Sequence, residues 1–286
     1  MFKNCKPFLK WVGGKTQLLN VIREKYPQEI EEYCEPFVGG GAVLFDVLNN
    51  YNPKKVLMND LNQELINTYI QVRDNVNNII NSLLEIQVSY WNMNNEEQKS
   101  FYYKKRNEFN EYIEKKKYSV EMAVLFLFLN RTCFNGLYRV NKKGFFNVPF
   151  NNAKKQYDLP IDLYYGISNY LNEHDITITS KNYLKLEKEF KEGDFVYFDP
   201  PYDLVEKYSF TDYSNSSFKT QEQIELKQLC DRLSEKNIKF MLSNSATDFI
   251  KELYKDYNVN IVSATRIINS KVSGRGAVEE VIVTNY

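Results

Sequence analysis

The sequence is poor in the residues that build zinc sites and histidine-dependent hydrolases. His174 is its only histidine, and none of its four cysteines belongs to a C-x-x-C pair. A structural zinc site needs several closely spaced thiolate or imidazole ligands, and a serine hydrolase of the triad type needs a histidine base. We therefore expect neither a bound metal ion nor a histidine-based hydrolase.

Long apolar runs are absent as well. The sequence has no apolar stretch of the roughly 18 residues that indicate a transmembrane helix, and its first residues lack the pattern of a secretory signal. The 286 residues are nevertheless 43% hydrophobic, which is enough for an ordinary core. We expect a soluble, cytoplasmic protein that makes no contact with a membrane.

A net excess of either charge is missing too, since 37 Lys and Arg balance 37 Asp and Glu. The balance is uneven along the chain, because residues 100–157 carry twelve Lys and Arg against four Glu, a local excess of +8. Segregated positive charge of this kind is typical of proteins that bind a polyanion such as nucleic acid. For the lysines at 115–117, a solvated helix end is the alternative interpretation.

The tetrapeptide Asp199-Pro200-Pro201-Tyr202 follows a short apolar run at residues 195–198. A strand that ends in an acid and two prolines leaves a carboxylate and a backbone carbonyl outside the hydrogen-bonded ladder, because proline has no N–H and a fixed φ. Two such acceptors suit an amino group, and a tyrosine ring offers a flat surface for a planar base. The segment predicts a pocket for the exocyclic amine of a nucleobase. An ordinary strand-ending turn is the alternative.

A second motif, E-P-F-V-G-G-G at residues 35–41, joins a short extended stretch to an apolar helical run. Glycines at a strand-to-helix turn let the backbone approach a ligand, and the helix N-terminus behind them offers unpaired N–H groups. Asp60 lies 21 residues after Gly39, near the spacing at which an acid binds ribose hydroxyls. Gly39, Gly41 and Asp60 therefore predict a nucleotide-binding α/β unit. The turn lacks the G-x-G-x-x-G spacing, so we expect an adenosine-bearing cofactor that is not a dinucleotide.

The segment Gly14-Lys15-Thr16 has the ending of a phosphate-binding P-loop. That motif requires a glycine five positions before Gly14, where this chain has Leu9. We do not expect a P-loop here, and an ordinary basic turn is the simpler interpretation.

Hydrophobic periodicity predicts an α/β protein with a mainly helical middle. Strands are predicted at residues 33–34, 56–58, 196–198, 240–242, 259–268 and 278–283, the last closing the sheet, and helices at 18–26, 42–48, 65–72, 79–88, 96–117 and 122–129. The 122–129 run is apolar on all sides, which indicates a buried helix, and residues 130–149 read as a loop or hairpin. Thr220 and Gln223 are predicted to form a capping box before a helix whose apolar face includes Leu226 and Leu229.

The ordered segments K-W-V-G-G-K at 10–15, E-P-F-V-G-G-G at 35–41, N-D at 59–60 and D-P-P-Y at 199–202 resemble the Dam-type DNA adenine-N6 methyltransferases. The likeness covers nearly the whole chain and includes N-R-T-C-F-N-G-L-Y-R at 130–139, G-F-F-N-V-P-F at 144–150 and a loop at 210–218. It implies a Rossmann-like α/β methyltransferase domain, formed by residues 1–63 and 164–286. The mainly helical insertion at 64–163 would then be the DNA target-recognition domain.

The resemblance also implies the cofactor, S-adenosyl-L-methionine, with S-adenosyl-L-homocysteine as product. The residues implied to line the cofactor are Trp11, Lys15, Phe37, Asp60 and Asp199, beside the glycine turn of Gly39 and Gly41. Asp199, Pro200 and Tyr202 would hold the target adenine. The lone pair of the adenine amine is delocalised into the ring. The Asp199 carboxylate and the Pro200 carbonyl would localise it by accepting hydrogen bonds from the two N6 hydrogens.

The base must leave the duplex to be reached, and Tyr202 would stack on it. No covalent intermediate is needed, and none of the four cysteines follows a proline, as the attacking cysteine of cytosine carbon-5 methylation typically does.

For DNA recognition, the residues that the resemblance places at a G-A-T-C site are Lys10, Phe134, Asn135, Leu137, Arg139 and Pro149. Arg139 suits bidentate hydrogen bonding to guanine, Leu137 suits a thymine methyl, and Phe134 could fill the space of the flipped base. Members of the family commonly have tyrosine where this chain has Phe134, so a hydroxyl contact would be lost. Packing within the loop is the alternative role for Phe134 and Leu137.

The expected partner is double-stranded DNA. We expect the protein to be a monomer that belongs to a prokaryote, where it would associate with the nucleoid, or that is encoded by a phage. A cognate restriction endonuclease of the same system is a possible second partner. Three alternatives stay open at this point. One is an amino-methyltransferase acting on cytosine N4 or RNA adenine, although aspartate at position 199 favours adenine. Another is a catalytically idle DNA-binding protein of the same fold. The last is a different nucleotide-binding α/β enzyme.

Overall fold

The computed structural model describes residues 5–152, 156–203, 218–265 and 277–286. The chain forms two compact units. The sheet unit comprises residues 15–38, 50–61 and 181–286, and the helical unit comprises residues 1–14, 39–49 and 62–180. The ends of the predicted insertion, residues 64 and 163, fall inside helices of the helical unit. The assignment of catalysis and DNA recognition to separate segments stays a prediction.

The described elements follow one another along the chain, with short 3₁₀ turns at Lys15–Gln17, Phe134–Gly136 and Tyr183–Glu189. In chain order they are α1 (Leu19–Arg23), β1 (Glu32–Glu35), α2 (Ala42–Asn50), β2 (Lys55–Asn59), α3 (Gln63–Asp74), α4 (Val76–Trp91), α5 (Asn95–Glu114), α6 (Val120–Thr132), α7 (Ile161–Glu173), β3 (Ile176–Thr179), β4 (Phe195–Phe198), α8 (Thr220–Glu235), β5 (Lys239–Ser245), α9 (Asp248–Leu253), β6 (Asn258–Thr265) and β7 (Ala277–Thr284).

The sheet unit is built on strands in the order β2-β1-β4-β5-β7-β6. The first four are parallel, with Cys34 of β1 opposite Val196 of β4, whereas β7 runs antiparallel to both β5 and β6. All four residues of β4 are buried, as expected of a central parallel strand covered on both faces. The apolar face of α8, which includes Leu226 and Leu229, packs into the same core.

The topology brings three sequence motifs of the sheet unit to one edge. β2, β1 and β4 are parallel neighbours, so their carboxyl ends meet at the same side of the sheet. Glu35 ends β1, Asp60 follows β2, and Asp199 follows β4. Ligands of open α/β sheets bind beyond the carboxyl ends of the strands, so the fold places all three acids where a ligand is expected.

Two predictions in the second half of the chain need correction. The capping box is wrong, because the helix is capped one residue earlier, where Glu222 accepts a hydrogen bond of 2.8 Å from the Lys219 N–H. Gln223 lies three residues before Leu226 on the buried face of α8, and its side chain is therefore turned inward. The last strand does complete the sheet, but between β5 and β6 rather than at an edge.

In the helical unit, α6 lies at the centre and contacts α3, α4 and α5. Every residue from Met122 to Asn130 is buried, so the predicted buried helix is confirmed. The Ser119 side chain caps α6 by accepting from the Met122 N–H. After α6 the chain forms the predicted hairpin-like segment, with antiparallel bridges between Cys133 and Phe150 and between Val140 and Phe146.

Some predicted features lie outside the described residues: the loop at 210–217, the end of the predicted strand at 266–268, and Lys154 and Lys155 of the basic segment. Within the described part of the chain, no helix combines the length and apolarity needed to cross a membrane. Nor do the described residues contain a cluster of three or more His, Cys, Asp or Glu side chains suited to a metal ion.

Candidate active site

Asp199 is paired with a lysine at the carboxyl end of β4. Lys15 Nζ lies 2.7 Å from Asp199 Oδ1, and only 5% of the Lys15 side chain and 19% of the Asp199 side chain are exposed. Charges withdrawn from water interact far more strongly than surface charges, and removal of one partner leaves the other uncompensated. The pair therefore fixes the position and the charge of Asp199 together.

Burial controls the ionisation of Asp199. It raises the pKa of this carboxyl above its ordinary value, while the charge of Lys15 lowers the pKa and that of Glu280 raises it further. The net shift is upward. Lys15 is thus the group that favours the carboxylate form, the form that can accept two hydrogen bonds.

The ring of Tyr202 lies beside this ion pair. Its hydroxyl donates a hydrogen bond of 2.6 Å to Glu280 Oε2, and Lys15 Nζ is 4.7 Å from the ring centroid. That separation is within the range of cation–π attraction. Burial raises the pKa of Tyr202 well above its ordinary range, and the charges of Asp199 and Glu280 act in the same direction. The hydroxyl is therefore neutral and serves as a donor at physiological pH.

The backbone of the D-P-P-Y turn is held by two buried amide side chains. Gln223 Nε2 donates to the Pro201 carbonyl over 3.0 Å, and Gln223 Oε1 accepts from Asn244 Nδ2 over 3.0 Å. Asn244 Oδ1 in turn accepts from the Asp203 N–H over 3.2 Å. Both amide side chains are fully buried. The Pro201 carbonyl thus has a hydrogen-bond partner, as buried polar groups generally do.

The acids that end the neighbouring strands are coupled to Asp199. Glu35 is buried and its Oε2 accepts a hydrogen bond of 2.7 Å from the Tyr33 hydroxyl. Burial raises the pKa of Glu35 well above its ordinary value; the Tyr33 bond opposes the rise, and the charges of Asp199 and Asp60 add to it. Three carboxyl groups from different strands therefore share one electrostatic environment in the sheet unit.

Asn59, which precedes Asp60, fixes the turn that follows β1. Its Nδ2 donates to the carbonyls of Pro36 and Lys181 over 2.9 and 3.0 Å, and its Oδ1 accepts from the Lys181 N–H over 2.8 Å. Asn59 is almost fully buried, whereas Asp60 is partly exposed. The Asn59 amide therefore stabilises the turn, and the Asp60 carboxylate lies at the carboxyl end of β2.

Phe37 is partly buried in the sheet unit against other aromatic rings. Its centroid lies 5.1 Å from that of Tyr183 and 5.7 Å from that of Phe218. Such edge and tilted contacts stabilise the ring and hold its orientation. Phe37 can therefore contribute a fixed apolar wall to the same edge of the sheet.

The glycine turn belongs to the helical unit, where it packs closely against Trp11. A Cβ added to Gly39 would lie 2.8 Å from the indole Cδ1 and Nε1, and one added to Gly40 would lie 2.9 Å from Trp11 Cβ. Gly39 also has a φ of +46° and Gly41 a φ of +74°, and the Tyr69 hydroxyl donates to the Gly39 carbonyl over 3.0 Å. Glycine is required here by backbone conformation and by the indole.

Trp11 is itself part of an aromatic stack in the helical unit. Its ring is near-parallel to those of Tyr138 and Phe126, with centroids 5.8 and 6.4 Å away. The Tyr138 hydroxyl donates to Glu64 Oε2 over 3.1 Å. The stack ties the N-terminal segment to the segment that follows α6.

Lys10 is brought next to the turn at Phe134–Gly136 by Asn130. The Asn130 side chain accepts from the Lys10 N–H over 2.9 Å, and its Nδ2 donates to the carbonyls of Lys10 and Gly136 over 2.8 and 3.2 Å. A Cβ on Gly136 would lie 2.5 Å from Lys10 Cβ, and Gly136 has a φ of +64°. Asn130 is buried and Lys10 is exposed, so one amide holds a basic side chain at the surface beside this turn.

The hairpin-like segment presents further predicted DNA-contacting residues. Phe134 is 45% exposed, a large value for an aromatic ring, and its N–H donates to the Pro149 carbonyl over 2.8 Å. Asn135 has a φ of 55° and is exposed, as is Pro149. The exposure of Phe134 argues against the alternative that its ring packs within the loop.

Arg139 is exposed and is oriented by a neighbour across the hairpin. Its Nε donates to Asn147 Oδ1 over 2.7 Å, and its Nη2 donates to the Asn147 carbonyl over 3.3 Å. Leu137 is only partly exposed. Arg139 is thus held in a defined direction at the surface, while the isobutyl group of Leu137 is partly withdrawn.

The structure therefore groups the predicted site residues in two sets. The set in the sheet unit is Lys15, Phe37, Asp60, Asp199, Pro200 and Tyr202. The set in the helical unit is Lys10, Trp11, Gly39, Gly41, Phe134, Asn135, Leu137, Arg139 and Pro149. The sequence did not predict the site roles of Gln223, Asn244 and Glu280, which support the D-P-P-Y turn, or of Asn130. Asn130 belongs to the segment at 130–139 and Gln223 to a helix-cap pattern, but no local pattern predicts these roles, because each residue acts through contacts distant in sequence.

The sheet has four parallel neighbouring strands, an antiparallel β7 and coupled acids at the carboxyl ends of the parallel strands. Together with the D-P-P-Y segment and the glycine turn, these features define an α/β enzyme of the Rossmann-like methyltransferase fold. The chain matches the model of the D12 class N6 adenine-specific DNA methyltransferases over residues 11–268, and it belongs to that family. The predicted family, fold class and enzyme class are confirmed.

Individual relatives agree with this membership. The chain is 41% identical over 284 residues to the type II methyltransferase M1.LlaDCHI of Lactococcus lactis subsp. cremoris, covering 99% of this chain and 96% of the relative. It is 40% identical over 292 residues to the type II methyltransferase M.MjaIII of Methanocaldococcus jannaschii, covering 98% and 99%. It is 33% identical over 281 residues to the DNA adenine methylase of Escherichia coli (strain K12), covering 98% and 95%.

Proposed function

We propose that this protein transfers the methyl group of S-adenosyl-L-methionine to N6 of an adenine in double-stranded DNA, within the sequence G-A-T-C. The observation that carries the proposal is the setting of Asp199, which follows a buried central strand and pairs at 2.7 Å with Lys15. The Lys15 Nζ in turn lies 4.7 Å from the centroid of the Tyr202 ring. Family membership gives the reaction class, and this cluster gives it a physical basis.

The cofactor-binding residues fit the chemistry of S-adenosyl-L-methionine. The cofactor carries ribose hydroxyls and cationic sulfonium and ammonium groups, which suit the carboxyl groups of Asp60 and Asp199. When bound, it supplies an activated methyl group and leaves as S-adenosyl-L-homocysteine. The residues that we assign to it are Lys15, Phe37, Asp60 and Asp199 in the sheet unit and Trp11, Gly39 and Gly41 in the helical unit.

The chemistry of the protein side rests on two acceptors. The Asp199 carboxylate and the Pro200 carbonyl accept hydrogen bonds from the two N6 hydrogens of adenine and draw the nitrogen toward a tetrahedral geometry with a localised lone pair. Once the nitrogen has taken up the methyl group, it releases one of these two hydrogens as a proton to water. Because Lys15 faces Oδ1, we assign the substrate hydrogen bond to Oδ2. Lys15 holds the Asp199 carboxylate, and Gln223 holds the turn at the carbonyl that follows Pro200. Acceptors on a turn held in this way stabilise the charge that develops on nitrogen with little reorganisation.

An adenine inside a duplex is out of reach of this site, so the base is proposed to be flipped out of the helix. The Tyr202 ring then stacks on the flipped base. The ring is held by the hydrogen bond from its hydroxyl to Glu280. A turned-out base loses its stacking partners in the duplex, and an aromatic ring replaces one of them.

Recognition of the DNA sequence is assigned to the helical unit, within the predicted target-recognition segment 64–163 and the N-terminal segment. The basic excess of residues 100–157 suits contact with phosphates. Arg139, oriented by Asn147, suits bidentate bonding to a guanine, and exposed Phe134 suits insertion at the flipped base. The proposed contacts are Lys10, Phe134, Asn135, Leu137, Arg139 and Pro149.

The names of the relatives support a proposal about the biological setting. Two of them are named type II methyltransferases, which favours a role beside a cognate restriction endonuclease over a solitary one. We propose a monomer that acts on DNA in the cytoplasm. Deletion of the gene from its own host tests the pairing, because an active endonuclease partner would then cut the unprotected chromosome.

The test of the reaction is modification-sensitive sequencing of DNA from a methylation-free host that expresses the wild type, Asp199→Ala, or the exposed control Asp256→Ala. The proposal expects N6-methyladenine at G-A-T-C with the wild type and the control, and none with Asp199→Ala. Methylation at another sequence would overturn the recognition residues and keep the chemistry. A folded wild-type protein that modifies no DNA would favour an idle DNA-binding protein instead.

A further inference from the structure

The two peptide groups on either side of Tyr202 are both tied to one pair of side chains. The Pro201 carbonyl belongs to the peptide before Tyr202 and accepts from Gln223 over 3.0 Å. The Asp203 N–H belongs to the peptide after it and donates to Asn244 over 3.2 Å. Gln223 and Asn244 are bonded to each other over 3.0 Å, which closes the arrangement.

The far end of the tyrosine side chain is held as well. Its hydroxyl donates to the buried Glu280 carboxylate over 2.6 Å. Glu280 of β7 lies directly opposite Ser245 of β5, the residue that follows Asn244. Adjacent strands therefore supply the anchor for the backbone and the anchor for the hydroxyl, and Ser245 Oγ adds a bond of 2.8 Å to the Asp203 carbonyl.

This network would destabilise the fold if any of its buried polar groups lacked a hydrogen-bond partner. Two amides and a carboxylate are buried, and buried polar groups destabilise a fold when they lack partners. Here each amide has a partner on both its oxygen and its nitrogen. A fully satisfied buried network is rigid and specifies one conformation. With both peptides held, the bond from the hydroxyl to Glu280 favours the rotamer of Tyr202 that the structure shows.

We propose that Gln223, Asn244 and Glu280 are positioning residues that set the Tyr202 ring in its stacking plane before DNA binds. They act through Tyr202 and the turn and do not touch the base. The inference rests on the proposed function for the identity of what stacks on the ring. Because the ring is already ordered, its immobilisation does not weaken binding of the flipped base, and the base arrives in the geometry that the acceptors require.

A first experiment measures preorganisation without any reaction. Within residues 199–203, hydrogen exchange reports Asp199, Tyr202 and Asp203 only, because Pro200 and Pro201 have no N–H. Gln223→Leu should speed exchange of this segment, and Glu280→Leu should do so to a smaller extent. The matched controls are Gln221→Leu and Glu279→Leu, which make the same changes at exposed positions of the same helix and strand. Unchanged exchange in Gln223→Leu would overturn the proposal.

A second experiment measures the consequence for methyl transfer. Glu280→Leu should lower the single-turnover rate by about tenfold to a hundredfold, the scale of a misplaced positioning group, and leave the affinity for S-adenosyl-L-methionine unchanged. Glu280→Gln keeps an acceptor for the hydroxyl and should recover most of the rate. It also serves if Glu280→Leu does not fold. A general packing defect would lower the unfolding midpoint in both variants without this rescue.

A double-mutant cycle with Tyr202→Phe decides whether Glu280 acts through the tyrosine. If it does, the double variant should be no slower than the slower single variant, because both substitutions remove the same hydrogen bond between the Tyr202 hydroxyl and Glu280. Additive losses would overturn the proposal. A wild-type protein that methylates no DNA would refute the proposed function instead, and the exchange experiment would still decide the positioning role.

Discussion

Replacing Lys15 by methionine should destabilise the protein far more than loss of a surface lysine. Lys15→Met leaves the Asp199 carboxylate withdrawn from water and without its counter-charge. Breaking a buried ion pair from one side typically costs about 3–5 kcal/mol of unfolding free energy. The matched control is Lys54→Met, which breaks the Lys54–Glu31 pair at 3.0 Å, whose side chains are 75% and 65% exposed. A surface pair of this kind is worth about 0–1 kcal/mol.

The cost of Lys15→Met should also depend on pH, with a sign that the structure fixes. Burial holds the folded-state pKa of Asp199 above its ordinary value of 3.8, and loss of Lys15 raises it further. A carboxyl with a raised folded-state pKa destabilises the fold when ionised and not when protonated. The penalty should therefore be full at neutral pH and shrink as the pH falls through that raised value.

The assay is urea unfolding followed by circular dichroism at neutral and acidic pH, with free energies from linear extrapolation. Lys15→Met combined with Asp199→Asn should recover much of the loss at neutral pH, because the buried charge is gone. A Lys15→Met variant as stable as Lys54→Met, or one whose penalty does not fall in acid, would refute the reasoning.

Three further outcomes are expected. Gly39→Ala should lower the unfolding free energy by about 1–3 kcal/mol, because residue 39 has a left-handed backbone and its Cβ would clash with Trp11. Gly166→Ala is the control, since an added Cβ there meets nothing within 4 Å, and it should be neutral or stabilise the protein by up to about 1 kcal/mol. Thermal unfolding compares the two variants, and equal effects would contradict this account. Arg139→Ala should relax discrimination at one guanine in a methylation assay on variant sites, while exposed Lys142→Ala should weaken DNA binding equally for all sequences; unchanged preference in the first would exclude the assigned contact. All four cysteines are buried, so thiol alkylation of the folded protein should leave methyl transfer intact, and rapid inactivation would show otherwise.

The sequence was informative wherever a local pattern carries its own physical reason. An acid followed by two prolines marks a strand end, and a glycine run marks a strand-to-helix turn, so Asp199 and Gly39 could be placed before the fold was known. The apolar run of α6 predicted its burial because no face of it is polar. Order along the chain then identified the family.

The remaining features depend on contacts between distant residues. Gln223 fits a helix-cap pattern in the sequence, yet its position on the buried face of α8 gives it the Pro201 carbonyl as partner. Glu280 appears as one of two adjacent glutamates, and only the placement of β7 beside β5 turns it toward Tyr202. Asn130 is similar, since its three backbone partners lie on two separate segments.

The position of β7 has a consequence for synthesis of the protein. A ribosome makes Lys15, Asp199 and Tyr202 well before it makes Glu280, and β7 must enter between β5 and β6, which are already synthesised. Until it does, the Tyr202 hydroxyl lacks its acceptor and β5 lacks one of its two neighbouring strands. A nascent chain can therefore carry every residue of the D-P-P-Y motif while Tyr202 still lacks its anchor at Glu280. We expect competence for methyl transfer to arise late in synthesis, in one step, rather than growing with chain length.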